Sequence, residues 1–206
     1  MYKLYGTKMT GTCAVHAALA ELEVPFEQIE VTTGKAQHLT EEYKKINPRQ
    51  QVPALMLPDG QVVTEGPAIL IHLADAHPEA QLAPSPGTPQ RSQVNRWLIF
   101  FAVNVYEGEL RKLNGPRYTT APDGGDAVEA AAVEYVQKHY EIFEAALDLG
   151  PYFLDRSFSI LDIYVWMLAQ WMDRPWLEDN CPKILALADA VKARPKIAPI
   201  HDLNFG

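Results

Sequence analysis

Apolar and polar residues alternate over residues 2–5, which read as a short strand. From Thr12 the apolar spacing becomes helical, with Val15, Leu19 and Leu22 on one face and Thr12 as a candidate N-cap. Residues 26–31 read as a second strand and residues 41–46 as a short helix. The most informative stretch is residues 47–76, NPRQQVPALMLPDGQVVTEGPAILIHLADA. Its apolar run from Ala54 to Leu57, the turn residues Pro58-Asp59-Gly60 and the returning Gln61-Val62-Val63 predict an antiparallel hairpin. After Thr64 and Glu65 the period lengthens to about 3.6, so a helix opens near Glu65-Gly66-Pro67 with Ile69, Leu70, Leu73 and Ala76 on one face. Free N–H groups at such an opening attract a carboxylate or a phosphate. Pro53 gives up a ladder hydrogen bond, so it belongs at an edge or a turn, and the Val52-Pro53 bond is trans unless its surroundings select cis.

The element order to this point is β-α-β-α-β-β-α. Prolines at 78, 84, 86 and 89 then stop regular structure. Beyond them only the helical period is found. Val94, Leu98, Phe101 and Val105 share one stripe, and Val133, Val136, Tyr140, Phe143 and Leu147 share another. Ser159 and Asp162 have the S-x-x-D spacing related to a capping box, which explains both residues without catalysis. Trp97, Trp166 and Trp171 read as core of this helical half.

Composition narrows the class. A chain of 206 residues, 48% hydrophobic and 21% charged, can bury a real core in one large or two small domains. A formal net charge of −8 opposes nucleic acid and anionic membranes as partners. Cys13 and Cys181 make neither a disulfide framework nor a C-x-x-C, and no Cys/His cluster has metal spacing, so no metal is expected. The first residues lack the apolar core of a signal peptide, and no apolar run is long enough to span a bilayer, so a cytoplasmic protein is expected.

The stretch N-P-R-Q-Q-V-P-A-L, followed by D-G and T-E-G-P-A-I, resembles the glutathione-site segment of cytosolic glutathione transferases, particularly the bacterial beta-like class. One family position departs: Gln50 stands where the family has Gly. The resemblance implies a thioredoxin-like α/β domain over residues 1–77, a linker over 78–88 and an all-α domain over 89–206 that lines a hydrophobic substrate site. It also implies a homodimer.

The same resemblance assigns candidate residues. Glu65 would hold the ammonium of glutathione's γ-glutamyl group, and the Gly66 N–H its carboxylate. Val52, turned by Pro53, would present its backbone to the cysteinyl unit. Lys35 would approach the glycyl carboxylate and Gln51 would add a polar contact; each also reads as an ordinary surface residue. Around the thiol three candidates stand open. The reactive Cys of beta-like enzymes falls on Gly11 here, so Thr10 or Thr12 would donate a hydrogen bond to the glutathione thiolate, with Cys13 as the rival nucleophile or a small buried hydrophobe. Phe101, Tyr106 and Tyr118 would line the pocket for the second substrate, or serve as core or interface. The implied activity is conjugation of glutathione, as co-substrate, to hydrophobic electrophiles, as in detoxification. The alternatives are a glutathione-dependent thiol-disulfide or peroxide reductase and a non-catalytic interaction protein of the same fold.

Overall fold

The computed structural model describes residues 1–206. Four strands, β1 (Tyr2–Gly6), β2 (Phe26–Glu30), β3 (Ala54–Met56) and β4 (Val62–Thr64), form one sheet in the order β2-β1-β3-β4. β1 and β2 are parallel, with Gly6 opposite Glu30, and need a crossover, which α1 (Thr12–Leu22) supplies. β3 runs antiparallel to both β1 and β4, with Ala54 opposite Tyr5 on one side and Thr64 on the other. The hairpin turn puts Gly60 at φ 91°, where a side chain would be strained. A short helix, α2 (Glu41–Lys44), precedes β3, and α3 (Gly66–Ala76) follows β4. Leu4 and Leu55 of the sheet, Val15 and Leu19 of α1, and Ile69 and Leu73 of α3 are fully buried, and α1 and α3 pack together. This is the expected thioredoxin-like arrangement.

The strand directions have one consequence for function. β1, β2 and β4 all finish, and β3 begins, at the same end of the sheet. Four segments far apart in sequence, following Gly6, Glu30 and Thr64 and preceding Ala54, therefore emerge side by side.

The second unit, residues 89–190, is helical. Helix α4 (Pro89–Phe100) passes through a π-helical stretch, Phe101–Tyr106, into α5 (Glu107–Leu113). Then come α6 (Gly125–Ala146), α7 (Ile160–Ala169), α8 (Arg174–Asn180) and α9 (Pro182–Lys192), the last ending just past the unit's boundary. Every residue of α7 is buried, as its apolar circumference demands. Ser159 and Asp162 make the capping box the spacing predicts. The rings of Trp97 and Phe101 each lie 4.9 Å from that of Phe143.

Residues 191–206, which the resemblance places with the helical domain, group with the first unit. Arg194 grips the Glu21 carboxylate of α1 at 2.7 and 2.9 Å, and Asn204 of α10 (Ala198–Phe205) accepts the Met9 N–H at 3.0 Å. These contacts span more than 170 residues, beyond the reach of any periodicity.

Candidate functional site

At the shared end of the sheet, residues 47–53 form a turn held from beneath. Tyr43 Oη and Asn47 Nδ2 each donate to the Gln51 carbonyl at 2.7 Å. Burial pushes the Tyr43 phenol up to about 12, so it keeps the proton it donates. Asn47 also accepts the Arg49 N–H on its side chain at 3.0 Å and the Gln50 N–H on its carbonyl at 2.8 Å. Gln50, at the family's Gly position, has φ 56°, the left-handed conformation that Gly adopts most readily. The Val52-Pro53 bond is cis, the isomer that sequence alone disfavours. Val52 is packed against Val31 and Tyr43, and it lies outside the strand ladder, which begins at Ala54.

The β3–β4 register, continued one step, sets Pro53 opposite Glu65. Glu65 has φ 65° and ψ 112°, a backbone position costing about 1–3 kcal/mol for a residue with a side chain and found mostly where function requires it. Its side chain makes no cap hydrogen bond to α3. Instead Arg49 Nη1 donates to both of its carboxylate oxygens, at 2.9 and 3.1 Å, and each partner is about half exposed. Gly66 and Pro67 open the helix behind it, where the first N–H groups have no helical acceptor. Past β2, Lys35 closes a single turn of 3₁₀ helix, Thr33–Lys35, and is exposed.

The loop after β1 brings the remaining candidates. Thr7 donates from its hydroxyl to Glu30, and its carbonyl accepts the Thr10 hydroxyl at 2.7 Å. The Thr10 hydroxyl also lies 2.9 Å from the Thr12 hydroxyl and accepts the Thr12 N–H at 3.3 Å. The N-cap position of α1 is Gly11, which offers no side chain, so this N–H is met from one residue further back. Thr12, expected as the cap, is the first helical residue and is buried against Gly6, where an added Cβ would come within 2.0 Å of its hydroxyl. Cys13 is 1% exposed, and burial raises its thiol pKa well above the ordinary range. Its burial matches the small buried hydrophobe among its two readings.

In the helical unit, Phe101 is fully buried, its ring beside those of Tyr140 and Phe143. Tyr106 is half-buried with its ring 5.4 Å from that of Trp171. Lys112 Nζ donates to the Trp171 carbonyl at 3.1 Å and lies 2.5 Å from the buried Glu109 carboxylate. Tyr118 is 40% exposed, with the Arg111 guanidinium 5.6 Å from its ring centre.

Residues 1–75 match the family model described as the glutathione S-transferase N-terminal domain, and residues 118–199 match the C-terminal domain. Protein LigF of Sphingobium is 42% identical in an alignment covering 90% of this chain and 87% of that protein. The chain belongs to the glutathione transferase family. A solved glutathione transferase homologue from Sulfitobacter with bound glutathione superimposes with a TM-score of 0.86 at 27% identity, covering 98% of this chain and 97% of that one. A beta-class transferase of Sphingomonas chungbukensis does so with a TM-score of 0.82 at 25% identity, covering 98% of each. In this transferase-family chain, the hairpin register sets Pro53, which follows Val52, across from Glu65, and Gly66 opens α3 directly after it. Tyr43, Asn47 and Arg49 were missed. The Asn-Pro opening of the motif was the available signal, but what the Asn holds, a carbonyl four residues on, is visible only in the fold.

Proposed function

We propose that this protein conjugates glutathione to hydrophobic electrophiles. The observation that carries the reading is Glu65, displayed from a positive-φ residue at the start of α3 and opposite Pro53. Glu65 takes the γ-glutamyl ammonium, the N–H groups opening α3 take the neighbouring carboxylate, and the Val52 backbone pairs with the cysteinyl unit like a further strand. Lys35 and Gln51 serve the rest of the tripeptide. Thr10 is the proposed thiolate donor. In the free protein its proton goes to the Thr7 carbonyl or the Thr12 hydroxyl, and with glutathione bound it turns to the sulfur. The thiolate then forms a carbon–sulfur bond to the electrophile, whose leaving group departs with the bonding pair. Tyr106 and Tyr118 are the proposed aromatic surface for that electrophile.

The same reading makes the protein a cytoplasmic homodimer. An apolar strip on the helical unit supports the assembly: Ile99 and Val103, one turn apart, are 57% and 56% exposed, and Tyr135 and Ile142 of α6 are 39% and 41% exposed. No helix is long and apolar enough to cross a membrane. Light scattering should give twice the chain mass of 23.0 kDa. The activity is tested by offering glutathione with an activated aryl halide and, separately, with a glutathione mixed disulfide. Thioether formation with slow disulfide turnover is expected. The reverse order of rates would make the protein a reductase.

A further inference from the structure

The loop between β1 and α1 is held from the far end of the chain. Asn204 of α10 is buried, and its side-chain oxygen accepts the Met9 N–H at 3.0 Å. Its nitrogen donates to the Ile200 carbonyl at 2.7 Å, so each half of the amide meets the partner its chemistry requires. α10 is no loose tail. Ile197 and Ile200 are buried, Arg194 grips Glu21, and Lys196 Nζ reaches the Glu21 carbonyl at 3.3 Å and the Glu23 carboxylate at 2.9 Å. Asn204 is therefore a fixed point relative to α1.

What it holds is an unfavourable backbone. Met9 has φ 59°, the left-handed conformation that a residue with a side chain avoids. Its own side chain is 63% exposed, so burial of that side chain does not keep the chain there. Thr10 follows directly, and its hydroxyl turns back to the Thr7 carbonyl at 2.7 Å. Rotation about φ at Met9 would swing that hydroxyl away from its place.

We propose that Asn204 is a positioning residue for the thiolate donor: by accepting the Met9 N–H it keeps Met9 left-handed, and so sets the Thr10 hydroxyl where bound glutathione presents its sulfur. This role rests on the donor role proposed for Thr10 and deepens it. A hydrogen bond weakens steeply once its length and angle leave a narrow range. A loop free to relax thus loses thiolate stabilisation without losing the hydroxyl.

The test is a double-mutant cycle on the pKa of bound glutathione, read from thiolate absorbance against pH, with kcat, KM and melting temperature measured beside it. Asn204→Ser keeps a hydroxyl that can bond the Ile200 carbonyl but is too short to reach Met9. It should raise that pKa by about half to one unit, slow turnover about three- to tenfold at pH values below it, and leave the KM for glutathione within about twofold. In a Thr10→Val background the same substitution should add nothing, since the group it positions is gone. Adding Met9→Gly to Asn204→Ser should return the pKa part of the way, because glycine enters the left-handed region unaided. Should Asn204→Ser fail to fold, Asn204→Leu takes its place, filling the buried space and likewise offering Met9 no acceptor. A lower melting temperature with pKa and kcat unchanged would make Asn204 a structural amide only and overturn the positioning role, leaving the proposed function standing. A full shift in the Thr10→Val background, or no recovery on adding Met9→Gly, would overturn it as well. Thr10→Val with an unchanged pKa removes Thr10 as donor, and a wild type that binds no glutathione removes the proposed function; either result takes the role of Asn204 with it.

Discussion

Glu65 and Asp162 are both carboxylates at the start of a helix, one at the N-cap position and one in the first turn, and they do opposite work. Asp162 is fully buried; its oxygens accept the Phe153 N–H at 2.8 Å, the Ser159 N–H at 2.8 Å and the Ser159 hydroxyl at 2.9 Å. Those donors favour its anion, yet burial pushes the carboxyl up to about 6. Glu65 is half exposed, caps nothing and sits on a backbone position that other residues avoid. One carboxylate is consumed by the fold. The other is held out by it, balanced by an arginine from a distant turn. A motif containing an acid at a helix start therefore does not by itself announce chemistry; what its oxygens already accept decides the matter.

The comparison breaks most visibly at Asp162. Asp162→Ala leaves the two buried Ser159 donors and the part-buried Phe153 N–H without their acceptor, at about 1–3 kcal/mol for each buried group, so a loss of about 3 kcal/mol is expected. For a chain of this length that lowers the melting temperature by about 10 °C. Glutathione affinity of the remaining folded protein should be unchanged. A large loss of affinity at unchanged stability would mean that the two carboxylates are not separate in role.

The next largest effect lies at the thiol. Thr10→Val should raise the pKa of bound glutathione by about one unit, corresponding to about 1.4 kcal/mol of thiolate stabilisation, read from thiolate absorbance against pH. Cys13→Ala should leave that pKa alone, and neither Cys13 nor Cys181 should react with iodoacetamide at pH 8 while the protein is folded. Both are buried, and burial holds the Cys181 thiol near 12. Rapid labelling of Cys13, or a raised glutathione pKa in Cys13→Ala alone, would bring back the cysteine-type reductase.

A smaller effect belongs to His16 on α1, whose ring lies 5.4 Å from that of Phe26 and whose pKa is lowered by burial. A folded-state pKa below the unfolded value means that the unfolded chain binds the proton more readily. The stability His16 contributes is therefore complete above its unfolded pKa, about 6.5, and is lost as pH falls from there through the folded pKa. Chemical denaturation of wild type and His16→Phe should give a difference that is flat at neutral pH and shifts against the wild type below it. A flat difference throughout would place the ring in solvent.

What could be read from the chain was local. The hairpin of residues 54–64, the capping box at Ser159 and Asp162, and Glu65 at the start of α3 each depend on neighbours within a few residues, and each appears in the structure. Thr12 shows how local reading fails: its type and place suit a cap, but the missing side chain of Gly6 makes a slot that buries it, and Gly11 stands at the N-cap position instead. Phe101 follows an apolar stripe that core and pocket residues share. Arg49 was hidden because its partner is sixteen residues away across the hairpin. The attachment of residues 191–206 to the first unit depends on Arg194 and Asn204, two polar residues with no periodic signature.

The proposed function turns on Glu65, paired with Arg49 but capping no helix N–H, as the residue that holds glutathione. It is tested most directly by titrating glutathione into the wild type and Glu65→Gln in a calorimeter, with melting temperatures measured beside the isotherms. Binding at least tenfold weaker, or about 1.4 kcal/mol, is expected for the variant. Its melting temperature should stay within the small change that an exposed ion pair supports. Equal affinity for the two proteins, or a fall in stability that accounts for the lost binding, would contradict the account.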